Sequence, residues 1–154
     1  MATTDNYQDI LNALGNDLVS NIRDKIKSTG ASATGKSAAS LRFEARPLRF
    51  TLYGSSSFNY IEVGRPSGGM PPLDNIKEWI KSKGLQPREG GTISGLAYAI
   101  ATKIKNEGTQ LYANNEVRDI YTNEVGEFTS KLKKEIGEKV RLKTSNEITR
   151  SIKI

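Results

Sequence analysis

The stretch from Tyr60 to Leu85 constrains the fold most strongly, because its loop signals and helix signals stand at fixed positions. Pro71 and Pro72 are incompatible with a helix interior but fit immediately before a helix. Apolar residues then recur at helical spacing, and Gly84 supplies the left-handed stop that often ends a helix. The stretch therefore predicts a Gly/Pro loop displayed at the surface, followed by a short helix whose Trp79 anchors a small core.

The flanking sequence predicts an α+β fold in a single domain spanning residues 1–154. The chain begins with an amphipathic helix, capped by Thr4 or Asp5, whose apolar residues recur every three or four positions. These residues are Tyr7, Ile10, Leu11, Leu14, Leu18, Ile22 and Ile26. From Leu41 the apolar period changes to two, which indicates strands on either side of Pro47 and hence a small antiparallel sheet.

The second half of the chain is predicted to be mostly helical. A second short central helix follows the Trp79 helix; Thr92 or Ser94 caps it, and Gly108 ends it. The longest helix carries apolar residues from Val117 to Ile136, and the chain is expected to loosen beyond Gly137. Isoleucines at even spacing over residues 148–154 predict a terminal strand, one that joins this sheet or augments a neighbour's.

Composition excludes most routes to an enzyme. The 154 residues include no Cys and no His, so no thiolate, disulfide or imidazole is present. A small enzyme with carboxylate or Ser/Lys chemistry would need titratable groups that converge in a pocket. No apolar run approaches the ~20 residues that cross a bilayer, and the N-terminus has no signal-peptide pattern. We therefore expect a soluble, non-enzymatic protein made in a reducing cytosol, with no cofactor, no metal and no membrane partner.

The segment from Gly30 to Ser37 reads G-x-x-x-x-G-K-S, the pattern of a phosphate-binding P-loop. That loop functions between a buried strand and a helix, so that its amides point at phosphate. Here the preceding segment is predicted to be a helix, and no later strand ends in an Asp that suits magnesium. The sequence therefore argues against ATP or GTP binding.

The net charge of +6 is concentrated at the C-terminal end of the chain. Residues 131–154 contain eight Lys or Arg and three Glu. Such a segment is either a solvated helix face or a contact for DNA or an acidic partner. The candidate contact residues are Lys131, Lys133, Lys134, Lys139, Arg141 and Lys143. A small basic nucleic-acid-binding protein using this cluster is the alternative function.

Three stretches resemble the neck and tail-completion (head-to-tail joining) proteins of tailed bacteriophages. The central stretch of that family has closely spaced Tyr, Glu, Gly and Arg, a Pro-rich loop, and a helix with Trp-Ile and Lys-Gly. In this chain the matching residues are Tyr60, Glu62, Gly64, Arg65, Pro71, Pro72, Ile76, Trp79, Ile80, Lys83 and Gly84. Upstream, Thr34-Gly35 and Ser40-Leu41 match the entry to the family's first strand. Downstream, the matching residues are Leu96, Ala97, Ile100, Ala101, Lys103, Ile104, Gly108 and Thr109.

The resemblance implies a virion structural protein that forms a six-fold or twelve-fold ring in the phage neck or tail. Its expected partners are copies of itself, portal-adjacent and tail proteins, and, by non-specific contact, channel DNA. It would be made in the cytoplasm of the bacterial host. The implied structural or interface residues are Tyr60, Glu62, Gly64, Arg65, Pro71, Pro72 and Trp79. Glu62 and Arg65, three residues apart, either pair at the base of the loop or are both solvated. The Pro-Phe-Leu-Arg-Pro-Ala-like closing motif of some relatives is not evident, which leaves the layer within the virion open.

Overall fold

A computed structural model, which describes residues 2–31, 34–47 and 49–151, confirms the predicted α+β class. The strands β1 (Arg42–Arg46) and β2 (Arg49–Tyr53) form a two-stranded antiparallel sheet. The helices are α1 (Ala2–Ser28), α2 (Lys36–Ser40), α3 (Asn59–Val63), α4 (Leu73–Ser82), α5 (Ile93–Glu107), α6 (Gln110–Ala113) and α7 (Thr122–Ser151), with a 3₁₀ turn at Ser56–Phe58.

The described residues group into two compact units. The first unit comes from the described residues within 1–22, 42–53 and 121–154, and the second comes from those within 23–41 and 54–120. The prediction of a single domain over residues 1–154 stays a prediction. No helix of the described chain is both long enough and apolar enough to cross a membrane.

The first unit packs aromatic rings of the sheet and of α7 beside a glycine of α1. Phe43 and Phe50 stack at 5.4 Å between ring centroids, and Phe50 meets Phe128 of α7 at 4.5 Å. A Cβ atom on Gly15 would lie 2.7 Å from both strand phenylalanines, so only glycine lets the rings come this close to α1. The predicted apolar stripe of α1 is confirmed, since its Ile and Leu residues from Ile10 onward are buried.

The second unit has its core between α4 and α5, which pack against each other. Ile80 of α4 and both Ala97 and Ala101 of α5 are fully buried. The two alanines lie one turn apart on one helix face and let the neighbouring helix approach closely. The end of α1 is fastened to α2 by Arg23, whose guanidinium donates to the carbonyls of Ala38 and Leu41 at 3.1 and 2.8 Å.

Helix ends in the second unit follow the sequence signals. Thr92 is the N-cap of α5, where its hydroxyl accepts a hydrogen bond from the Gly95 amide at 3.0 Å. At the end of α4, the Gly84 amide donates to the Lys81 carbonyl and the Leu85 amide donates to the Ile80 carbonyl. With Gly84 at φ 64°, these two bonds form a Schellman motif.

Four predictions about the helices and strands are wrong. Because α1 begins at Ala2, neither Thr4 nor Asp5 is its cap. The longest helix, which was expected to include Val117 and to end near Gly137, begins at Thr122 and continues through Gly137 to Ser151. Ile148 therefore belongs to a helix, where a terminal strand was predicted. The other two isoleucines of that predicted strand, Ile152 and Ile154, lie outside the described residues. Leu48 of the predicted second strand lies outside them as well. Strong helix formers such as Lys, Glu, Arg and Leu around Gly137 outweigh the ~1 kcal/mol cost of one glycine.

Candidate functional site

Residues 64–72, here called the Gly/Pro loop, connect α3 to α4 and are mostly displayed at the surface, as predicted. The residues from Pro66 to Met70 are exposed, whereas Pro71 is buried and Pro72 is the exposed N-cap residue of α4. Pro suits this place because its φ near −60° is compatible with a helix start and because its missing amide needs no partner there. The two prolines thus fix the direction in which α4 leaves the loop.

Hydrogen bonds fix the base of the Gly/Pro loop to the junction of α5 and α6. The Arg65 amide donates to the Thr109 hydroxyl, and the Thr109 amide donates to the Arg65 carbonyl, both at 2.9 Å. The Gly68 amide donates to the Lys105 carbonyl at 2.8 Å. Within the loop, the Arg65 guanidinium donates to the Gly69 carbonyl at 2.8 Å. The Arg65 and Thr109 segments, which are 44 residues apart in the sequence, therefore hold the loop in one conformation.

Two glycines make this close approach possible. Gly64 has φ 76° and ψ 179°, and Gly108 has φ 80° and ψ −174°, a region of backbone space that is essentially restricted to glycine. A Cβ atom on Gly64 would lie 2.6 Å from the Tyr112 amide nitrogen, and one on Gly108 would lie 2.7 Å from the Arg65 carbonyl oxygen. Each glycine is thus required both by its backbone conformation and by lack of space.

Helices α3, α4 and α6 carry aromatic side chains that are partly exposed. Tyr60 and Tyr112 are both about half exposed, and the Arg65 guanidinium lies 6.0 Å from the centre of the Tyr60 ring. Trp79 is 39% exposed, whereas its neighbour Ile80 is fully buried. The prediction that Trp79 anchors a core is therefore wrong, because the face of α4 that packs on α5 is centred on Ile80. Its exposure leaves the indole available for contact with a partner.

Glu62 is buried, whereas one of the two expectations for it was a solvated side chain. Its side chain is only 2% exposed, although it lies in the five-residue helix α3. Its backbone carbonyl accepts a hydrogen bond from the Arg118 amide at 2.8 Å. The expectation that Glu62 and Arg65 are both solvated is wrong for Glu62. Gly64 and Arg65 lie at the loop base, Tyr60 precedes it in α3 and Pro71 lies near its other end; their role at an interface stays a prediction.

The P-loop-like segment does not adopt the setting that phosphate binding requires. It follows the helix α1, as expected from the sequence, and the five-residue helix α2 begins at Lys36. The Lys36 ammonium pairs with Glu78, and the Ser37 hydroxyl lies 3.2 Å from the Ser57 hydroxyl. Ser32 and Ala33 lie outside the described residues. Where side chains are described, no group of three acidic residues lies close enough to hold a metal ion.

The predicted basic cluster lies entirely on α7. At 100° per residue, its six cations cover all sides of the helix, so they do not form a single basic face. Two of them pair within the helix, Lys131 with Glu127 and Lys143 with Glu147, at N–O distances of 3.8 and 3.9 Å. All six are exposed except Lys139, which is intermediate.

Sequence reasoning missed a second basic surface, on the solvent side of the β1–β2 hairpin. Its members are the polar residues that alternate with the phenylalanines, and together they are here called the arginine face. They are Arg42, Glu44, Arg46, Arg49, Thr51 and Tyr53. The signal was available, because three of the four charged residues in this alternating pattern are arginines.

Comparison of this chain with models of known protein families, with curated proteins and with solved structures finds no match.

Proposed function

We propose that this protein is a subunit of a ring in the head-to-tail connection of a tailed bacteriophage, at the neck or at the tail-completion position. In this role it packs against copies of itself and against portal-side and tail-side proteins around the DNA channel. It works as a structural part of the virion and turns over no substrate.

The observation that carries this proposal is the way two separate parts of the resemblance fit together. The central stretch contributes Gly64 and Arg65, and the downstream stretch contributes Gly108 and Thr109. These four residues form one clasp, with reciprocal hydrogen bonds and with two glycines that leave no room for a side chain. The central and downstream stretches are separate in the sequence, yet each needs the glycine of the other for this close contact. That mutual dependence supports the resemblance.

The exposed surface around the clasp suits assembly. A closed head-to-tail ring requires each subunit to present two different, complementary faces. Tyr60, Trp79 and Tyr112 leave much of their ring area in solvent, and aromatic residues are enriched where protein interfaces are buried. The Gly/Pro loop is held by its hydrogen bonds to the junction of α5 and α6, which reduces the ordering cost that a mobile loop would add on binding.

The alternative, a nucleic-acid-binding protein that uses the basic residues of α7, receives less support from the geometry. A helix that enters a groove presents its contact residues on one side. The cations of α7 point to all sides, and two of them already have carboxylate partners one turn away.

Assembly-deficient variants test the proposal. We expect Tyr60→Ala and Trp79→Ala to weaken ring formation, measured by sedimentation velocity, while circular dichroism shows an unchanged fold. Tyr98→Ala is the matched control, since Tyr98 is even more exposed and is not among the residues of the resemblance. Equal assembly of all three variants would contradict the interface role of the loop region. A purified chain that cleaves or transfers a small compound would contradict the proposed function as a whole.

A further inference from the structure

The arginine face of the β1–β2 hairpin has features of a ligand site that the ring proposal does not assign. We propose that it binds the phosphate backbone of duplex DNA. The site is independent of the Gly/Pro loop, because its members lie on β1 and β2 within the first unit. The proposal that the hairpin binds DNA can therefore be tested separately from the proposal that the Gly/Pro loop takes part in ring formation.

The charge on this face is unbalanced and closely packed. The face has three guanidinium groups and one carboxylate, and that carboxylate, Glu44, lies 3.8 Å from Arg42 and 3.7 Å from Arg46. The strand register places Arg46 directly opposite Arg49. Like charges directly opposite each other destabilise a hairpin, and a bound anion between them removes that cost. The excess positive charge at the Arg46–Arg49 end thus favours an anionic ligand.

The spacing of the arginines selects an extended anion. Arg42 and Arg46 are four residues apart on one strand, about 13 Å at the strand rise of ~3.3 Å per residue. The Arg42 guanidinium is held over the Tyr53 ring, 4.4 Å from its centroid, at the far end of the face from Arg49. A single phosphate ion reaches one end only. A polymer with a phosphate at every nucleotide contacts both ends at once.

The side-chain chemistry favours nucleic acid over an acidic protein surface. Arginine presents a planar fork of donors that matches phosphate oxygens, and all three cations on the face are arginines. Thr51 and Tyr53 add hydroxyl groups, which are common partners of backbone phosphates. The face carries no aliphatic side chain, whereas the centre of a protein–protein interface is rich in apolar groups.

The test measures binding of the full chain to a short DNA duplex by fluorescence anisotropy as a function of salt. One variant combines Arg42→Gln, Arg46→Gln and Arg49→Gln. We expect it to lose at least about tenfold in affinity, and its plot of log K against log salt to become shallower by about 2–3. The control removes the same charge from α7 by Lys131→Gln, Lys133→Gln and Lys134→Gln, and it should stay within about threefold of the unmodified chain. Equal losses of DNA affinity in the two variants would show that net charge alone is responsible, and would contradict a DNA site on the arginine face.

A gain-of-affinity variant keeps the test decisive even where the triple arginine variant fails to fold. Glu44→Gln removes the carboxylate that competes with phosphate for Arg42 and Arg46, so it should bind DNA more tightly. Glu78→Gln on α4 is the control, because it removes the same charge away from the arginine face. Its gain in DNA affinity should be smaller than that of Glu44→Gln, because only the change in net charge contributes to it. If both bind alike, the assignment is wrong.

Two further arms separate the sources of anionic charge. Inorganic phosphate at the same concentration of phosphate groups should not displace the duplex beyond the effect of its ionic strength. Full displacement by phosphate, or binding of polyglutamate in place of the duplex, would overturn the assignment to DNA. Absence of duplex binding at low salt would do the same.

Discussion

Replacing Gly108 by alanine tests whether the Gly/Pro loop is fixed to the junction of α5 and α6. The backbone conformation of Gly108 (φ 80°, ψ −174°) costs a non-glycine residue about 1–3 kcal/mol. The new Cβ atom would also lie 2.7 Å from the Arg65 carbonyl oxygen, and relieving such overpacking costs about 1–3 kcal/mol more. We therefore expect the free energy of unfolding to fall by about 2–6 kcal/mol. For a chain of this size, that lowers Tm by about 4–24 °C.

Gly84→Ala is the matched control for this change. Gly84 also follows a helix end at positive φ (64°), but nothing lies within 4 Å of its would-be Cβ atom. The control therefore carries conformational strain alone, about 1 kcal/mol. Urea denaturation of both variants gives the two free energies from midpoints and slopes. Equal losses in Gly108→Ala and Gly84→Ala would show that Arg65 moves freely away, and the fixed loop would be refuted.

Four further changes test the packing of the hairpin and the helices by thermal and urea denaturation. Gly15→Ala should destabilise by about 1–3 kcal/mol, because two phenylalanine rings occupy the space of the new methyl group. Gly137→Ala, in open space on α7, should instead stabilise by about 0.5–1 kcal/mol, and the same sign for both would contradict the packing. Thr92→Ala should cost about 1 kcal/mol through loss of the α5 N-cap, and an unchanged Tm would exclude a role for the cap. Arg49→Thr should stabilise by a few tenths of a kcal/mol, because it removes the charge opposite Arg46; destabilisation would contradict repulsion between them.

Local signals in the sequence were sufficient for much of the fold. The apolar period of α1, the antiparallel strands, the Thr92 cap and the Gly84 stop all depend on interactions within a few residues. Such interactions can be recognised without knowledge of the tertiary structure. The Pro-Pro pair likewise predicted the start of α4 correctly.

Features that depend on distant contacts were missed or mistaken. Trp79 is the largest apolar residue of its helix, yet only the position of α5 decides that Ile80 is buried in its place. The burial of Glu62 could not be seen from its spacing to Arg65. The even spacing of the last isoleucines indicated a strand, but the described chain as far as Ser151 has no strand there, and helix propensity prevails.

The candidate site was predicted in part. The sequence singled out the Gly/Pro loop and the residues around it. It did not reveal the attachment of the loop to Thr109, because those hydrogen bonds join two segments that are distant in the sequence. The arginine face was not predicted, because its three arginines are fewer than the cations near the C-terminus. Its significance comes from cross-strand register, which places Arg46 opposite Arg49 and which the loop around Pro47 alone does not reveal.

The mass of the assembled particle tests the central claim most directly. Native mass spectrometry is applied to the chain alone and to the chain mixed with the portal protein of the same virion. We predict a closed species of six or twelve subunits, each of 16.9 kDa, in at least one of the two samples. A chain that stays monomeric in both samples would contradict a ring in the head-to-tail connection.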